Sequence, residues 1–440
     1  MTKKPSSGDM RRISVASAVG SFVEWYDFYI YATAAALVFP HIFFPAFDPR
    51  TGTLIAFATF GAGFIARPIG AAVFGHFGDK IGRKSMLVVS LLMMGIATTL
   101  MGLLPTYETV GVYSPIMLCL LRLIQGVAVG GEYGGAVLMA TEHAPQNERG
   151  RYTGLVQAAV PMALVASTLA FLLLSSTLSD EQFKSWGWRI PFVASIFMVI
   201  IGYYIRTKVE ESPDFMAVKA ENKIEALPIV AVFRHHWKSI LLIVGSYPAG
   251  AVTFFMINTF SITYGVESGI TRTNMLFITL VAALTMSALV PYFAKMADRV
   301  GYRRMFFLSL AVMALGAFPL FIGIKTAQIP LVLLGYALPT IGWSMFWGPV
   351  AVTYAELFGA NVRYSGLSIG YMLATVVGGA TPPIIAMAIY TSTKSTTAIS
   401  IYMISMLAIG ALCGGMLIRQ QEAKSSRTKA VPSVSPYSEH

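Results

Sequence analysis

Five ionisable side chains stand where the sequence around them is apolar: Glu24, Asp27, Arg67, Arg122 and Glu132. Glu24 and Asp27 interrupt residues 14–40, a run otherwise rich in Val, Ala, Phe, Ile and Gly. A charge at the centre of a bilayer costs about 2.5–3.5 kcal/mol by the gentler measure, so each of these groups needs a partner and a task. Three acids and two bases nearly cancel, as buried charge must. Two chemistries fit this set. An acid compensated by a nearby base can take up and release a proton, and a buried arginine can anchor an anion. Three residues of spacing put Glu24 and Asp27 on one helix face. At a rise of about 1.5 Å per residue both lie near the midplane, while Glu132 lies about 15 Å deeper than Arg122 along its own span. Arg67 falls in the inner half of its span.

Spanning helices must position these groups. Of 440 residues, 55% are hydrophobic and 12% charged, about half the charged share of an ordinary soluble domain. Apolar runs recur at roughly 14–40, 52–76, 84–104, 113–141, 152–177, 188–206, 238–265, 273–294, 304–324, 328–354, 364–390 and 396–418. Each is long enough to cross as a helix, and they are too uniformly apolar for barrel strands. The expected fold is an all-α membrane protein of twelve transmembrane helices. With the N-terminus in the cytoplasm, 24 of the 32 Lys and Arg residues fall on that side and six on the other. Both termini are therefore expected to be cytoplasmic. The net charge of +11 is spread over short loops and indicates no nucleic-acid partner. Cys119 and Cys413 lie inside apolar runs and read as packing residues.

The chain repeats itself. Gly75-His76-Phe77-Gly78-Asp79-Lys80-Ile81-Gly82-Arg83-Lys84 follows the second run, and Asp298-Arg299-Val300-Gly301-Tyr302-Arg303-Arg304 follows the eighth. Arg151-Tyr152-Thr153-Gly154-Leu155 likewise matches Arg363-Tyr364-Ser365-Gly366-Leu367. These echoes divide the chain into a tail (1–13), a six-helix half (14–206), a charged loop (207–237), a second six-helix half (238–419) and a polar, disordered end (420–440). In each loop the acid can cap a helix or pair with a base from the other half, which would lock one side shut. The candidate gate comprises Gly75, Asp79, Gly82, Arg83, Lys84, Glu142, Arg149 and Arg151, with Asp298, Arg299, Gly301, Glu356 and Arg363 from the second half. Tyr302 replaces the base at Arg83, so the second copy is less charged. No phosphate-binding loop is present in the sequence, which argues against an ATP-driven pump.

These loops resemble the signature of the major facilitator superfamily. Val23-Glu24-Trp25-Tyr26-Asp27-Phe28, Ile65-Ala66-Arg67-Pro68-Ile69-Gly70, Arg122-Leu123-Ile124-Gln125-Gly126, Gly130-Gly131-Glu132-Tyr133-Gly134-Gly135 and Trp186-Gly187-Trp188-Arg189-Ile190-Pro191-Phe192 resemble its metabolite:proton symporter branch. That branch includes carriers of shikimate, α-ketoglutarate, citrate, other carboxylates, and proline or betaine. The resemblance implies two pseudo-symmetric halves, alternating access, and spans 1 and 4 lining a central cavity, with Asp27 facing Arg122. Asp27 is then the proton-coupling acid and Arg122 its counter-ion and the substrate's anchor. Glu24 and Glu132 compete for the proton role. Arg67 either serves the substrate or pairs with Glu132 or Glu24.

Further groups that could meet a substrate are Tyr26, Gln125, Tyr133 and Gln157, then Tyr247, Asn258, Trp343, Trp347 and Tyr371. The second half holds no charge deep in a span, so the proton machinery is expected in the first half. The function expected is proton-coupled import of a small organic acid across the cytoplasmic (inner) membrane by a monomer. A zwitterion such as proline or betaine is the alternative cargo, and an uncoupled facilitator or anion exchanger the alternative mechanism. No cofactor, metal, ATP or catalytic group is expected, because no His or Cys cluster lies in the spans.

Overall fold

The computed structural model describes residues 7–81, 83–130, 137, 148–207, 228–358 and 363–430. Side chains are not described for 7–16, 75–87, 205–207, 228–231, 235, 363–365, 380 and 422–430. Twelve principal helices follow one another: α1 Ser7–Leu37, α2 Pro49–Ile81, α3 Arg83–Leu103, α4 Tyr113–Val129, α5 Arg149–Thr177, α6 Arg189–Thr207, α7 Pro228–Phe255, α8 Arg272–Val300, α9 Tyr302–Lys325, α10 Ile329–Ala355, α11 Arg363–Thr375 and α12 Thr396–Ala430. No strand occurs among the described residues. Eight described helices are long and apolar enough to cross a membrane, and α6 with the segment Asp180–Gly187 before it, bent by 43° to one another, makes a ninth when counted as one span. Backbone groups inside lipid must bond within their own segment, so apolar runs of this length become helices.

Two spans are interrupted where polar residues and glycines fall within them. α7 passes through a π-helical turn, Met256–Phe260, into Ser261–Glu267, and α11 passes through Val376–Ala380 into Pro382–Thr393. The C-terminal end differs from expectation. α12 runs to Ala430, ten residues beyond the point where polarity predicts disorder.

The sequence repeat has a counterpart in packing. In the first half α1 packs on α5, α2 on α4 and α3 on α6; in the second α7 packs on α11, α8 on α10 and α9 on α12. The halves meet chiefly where α5 runs along α8 and α2 meets the π turn of α11. Large aliphatic side chains such as Leu103, Leu315, Ile322, Leu334 and Leu412 are exposed on the outside, where lipid is the solvent. Four charged side chains are buried among the described residues, all in the first half: Glu24, Asp27, Arg67 and Arg122.

Candidate functional site

The site begins with a close approach of backbones. An added Cβ at Gly126 of α4 would lie 2.1 Å from the carbonyl oxygen of Gly63 on α2, and one at Gly130 2.2 Å from that of Arg67. Glycines let two membrane helices touch main chain to main chain. The contact brings Arg67 of α2 and Arg122 of α4 to the wall of one cavity, whose lining also includes Glu24, Met94 and Gln125. All of the lining comes from the first half. Aromatic rings surround both guanidinium groups. The Arg122 guanidinium lies 4.3 Å from the ring centre of Tyr31, 4.8 Å from Phe28 and 4.9 Å from Phe60. Arg67 lies 4.4 Å from Phe64, 5.1 Å from Phe28 and 5.8 Å from Trp25. A guanidinium over a desolvated ring gains on the order of 2 kcal/mol.

Asp27 is fully buried and makes no direct ion pair with Arg122, the counter-ion that the resemblance has it face. Two neutral side chains connect them instead. Thr98 Oγ1 lies 3.0 Å from Asp27 Oδ2. Gln125 Nε2 donates to Thr98 Oγ1 at 2.8 Å, and Arg122 Nη1 donates to Gln125 Oε1. Arg122 Nε also donates to the Phe60 carbonyl at 3.4 Å. Asp27 Oδ1 and Arg122 Nη2, one at each end of this chain, are buried without a hydrogen-bond partner. Spans 1, 3 and 4 are thus joined by a relay with an acid at one end and a base at the other.

Between the halves lies an aromatic wall. Trp343 and Trp347 of α10 stack at 5.3 Å. Trp347 meets Trp25 at 6.5 Å and Tyr247 at 6.4 Å, and Tyr247 meets Tyr371 at 5.3 Å. Gln157 of α5 and Trp347 exchange two bonds across the boundary, each donating a side-chain N–H to the other's backbone carbonyl at 3.3 Å. One of the expected substrate groups faces elsewhere. Tyr26 directs its hydroxyl to the Pro191 carbonyl of α6 in its own half, 3.5 Å away. Asn258 Nδ2 donates to the Phe254 carbonyl of its own helix at 2.9 Å, while its Oδ1 is buried without a hydrogen-bond partner.

On the face that carries the termini, Arg149 pairs with Glu356 across the halves at 3.1 Å. Asp298 works as a cap. Its two carboxylate oxygens accept the backbone N–H groups of Gly150 (3.0 Å) and Arg151 (3.1 Å), the start of α5 in the other half. Tyr302, the departure from the first loop's base, donates its hydroxyl to the same carboxylate at 2.7 Å. The Arg151 side chain pairs with Glu148 three residues back and Arg299 is exposed, so neither guanidinium bridges the halves. Gly301 ends α8 at a φ of 97°, where a side chain would be strained. Glu132, Tyr133 and Glu142 lie outside the described residues, as do Gly82 and the surroundings of Gly75, Asp79, Arg83, Lys84 and Arg363.

On the opposite face Arg50 pairs with Glu267 at 3.3 Å. There Arg272 of α8 also bonds Asp180 and Ser175 of the first half. The halves are therefore bridged at both faces.

The major facilitator superfamily model matches residues 17–382 and again 252–438. The chain belongs to the major facilitator superfamily. It is accordingly a membrane transporter rather than an enzyme. It is 39% identical over 406 residues to the inner membrane metabolite transport protein YhjE of Escherichia coli K12, covering 90% of this chain and 92% of that one. It is 38% identical to the shikimate transporter of the same organism over 96% of this chain and 99% of that one. A crystal structure of a D-xylose-proton symporter has the same fold, with a TM-score of 0.73 at 17% identity over 92% of this chain and 96% of that chain.

Within this facilitator the sequence reading missed Thr98, the ring cage of Phe28, Tyr31, Phe60 and Phe64, and both bridges of the opposite face. Thr98 carries no sequence signal, because threonines in apolar helices usually bond their own helix. Thr99 does so, to Gly95 at 2.9 Å. Arg272 and Asp180 were visible only as isolated loop charges.

Proposed function

We propose that this facilitator is a proton-coupled symporter importing a small organic anion, with Arg122 and Arg67 receiving the carboxylate and Asp27 carrying the proton. One observation carries the reading. Two buried guanidinium groups share a cavity, one presents a buried N–H without a partner, and a neutral relay joins that arginine to a buried acid. A carboxylate entering the cavity would complete the pairing of the arginines. Its arrival would compete with Gln125 for Arg122 and so change the setting in which Asp27 holds its proton. Glu24, on the same cavity, is the second acid of the site.

The two halves, 14–206 and 238–419, then alternate about this site, opening one face while the other stays bridged. The basic loops support a cytoplasmic terminal face. Relatedness to carriers named for the inner membrane and for shikimate supports both the location and an organic acid as cargo. One chain holds both halves and the whole relay, so a monomer is the working unit.

Uptake into proteoliposomes tests the reading, with a panel of mono-, di- and tricarboxylates, proline and betaine, each with and without an inward proton gradient. The expected result is carboxylate accumulation that collapses without the gradient. Gradient-independent rates would refute symport, and transport of the zwitterions alone would refute the anion assignment.

A further inference from the structure

We infer that Thr98 is a positioning residue whose hydroxyl switches acceptor as Asp27 gains or loses its proton, passing the change to Gln125 and Arg122. This rests on Asp27 being the proton carrier. Three heavy atoms surround Thr98 Oγ1: Asp27 Oδ2 at 3.0 Å, the Met94 carbonyl oxygen at 2.9 Å and Gln125 Nε2 at 2.8 Å. The hydroxyl has one proton and two acceptor lone pairs. It cannot donate to both Asp27 and Met94 at once. The structure therefore holds both acceptors within reach, and the charge on Asp27 selects between them.

With Asp27 ionised, the hydroxyl points its proton at the carboxylate and accepts only from Gln125. A hydrogen bond to a charged acceptor is the stronger option, and chained bonds reinforce one another. Gln125 is then held firmly, and its Oε1 holds Arg122 Nη1. With Asp27 protonated, the carboxylic acid becomes the donor, and the hydroxyl turns to the Met94 carbonyl one helical turn back. Thr98 Oγ1 now accepts from two donors, Asp27 and Gln125. Gln125 shares its acceptor, and its grip on Arg122 slackens. No heavy atom has to move for the switch, which suits a site buried in close packing. Protonation thereby frees the arginine for a carboxylate, and a bound carboxylate draws Arg122 away from Gln125. Each event favours the other, as linkage requires.

The other titratable groups near Asp27 along α1 are Glu24, Tyr26 and Tyr31; Arg122 of α4 stands at the far end of the relay, with Arg67 of α2 on the same cavity wall, and α3 contributes the neutral hydroxyl of Thr98. Among the described residues Thr98 alone of these hydrogen-bonds Asp27.

Difference infrared spectroscopy of the purified, bilayer-reconstituted full chain tests the inference without any substrate. The carboxylic acid C=O band of Asp27 is assigned by its loss in Asp27→Asn and followed through a pH titration. Thr98→Val keeps the shape and removes the hydroxyl. It is expected to displace both the band and its titration midpoint, the latter by about one pH unit, a tenfold change in proton affinity. Thr98→Ser is expected to restore both. An unchanged band and midpoint in Thr98→Val overturns the switch, and so does a displacement that serine fails to rescue. If Asp27→Asn removes no titrating band, the proton-carrier reading itself fails, which is a separate outcome.

Discussion

Replacing Gly126 by alanine tests whether the α2–α4 contact sets the site. The added Cβ would sit 2.1 Å from the Gly63 carbonyl oxygen and 2.8 Å from its carbon. Ordinary contact begins near 3.4 Å, so the helices must separate by about 1.3 Å at this level. The obstacle is main chain, which no rotamer change relieves. Overpacking of this kind costs about 1–3 kcal/mol. Gly126 and Gly63 both border the cavity of Arg67 and Arg122, so the separation widens the space between the two guanidinium groups. Where a site depends on positioning, a displacement of about 1 Å can cost on the order of 10²-fold in rate. The expected outcome is carboxylate uptake reduced by about two orders of magnitude, together with a lowered unfolding temperature in detergent. Gly52→Ala on α2, whose Cβ would meet Pro40 at an ordinary 3.4 Å, should leave both measurements near wild type. A Gly126→Ala protein with wild-type uptake and stability would refute the claim that this approach positions the arginines.

Asp27→Asn should abolish gradient-driven accumulation while leaving exchange of labelled for unlabelled carboxylate within about threefold, roughly half of the 1.4 kcal/mol that a tenfold change represents. Retained accumulation with unchanged pH dependence would count against the proton role. A double-mutant cycle on Arg149 and Glu356 should give a coupling below about 1 kcal/mol, because the pair is partly exposed. Asp298→Ala should cost about 0.5–2 kcal/mol, since its carboxylate caps two N–H groups at the start of α5. Equal unfolding temperatures for that variant and wild type would refute the cap. Asp48, before α2, accepts the N–H groups of Arg50 and Thr51, and hydrogen bonds, those from Thr51 foremost, hold its carboxyl below the usual carboxylate range. Its contribution is therefore present above the ordinary value of about 3.9 and lost as pH falls through the lowered one. The stability gap between wild type and Asp48→Ala should be level above about pH 5 and close on acidification.

The membrane-spanning architecture was legible because it rests on local composition. A run of about 20 apolar residues must become a helix in lipid whatever surrounds it. The repeat of Asp79-Lys80 and Asp298-Arg299 marked the two halves, and the cost of buried charge singled out Glu24, Asp27, Arg67 and Arg122 before any contact was known. The resemblance added the family and, through it, Arg122 as the counter-ion that Asp27 faces. Tertiary structure put Thr98 and Gln125 between the two. No composition rule points to one threonine 71 residues from the acid it serves. It also turned Tyr26 toward α6 and, of the two roles open to Asp298, a helix cap or an ion pair across the halves, gave it the cap. Burial is a property of a segment, and so the sequence states it. Which polar atoms meet inside depends on how helices rotate and close against each other, to within an ångström at Gly63 and Gly126. Only the packed chain decides that.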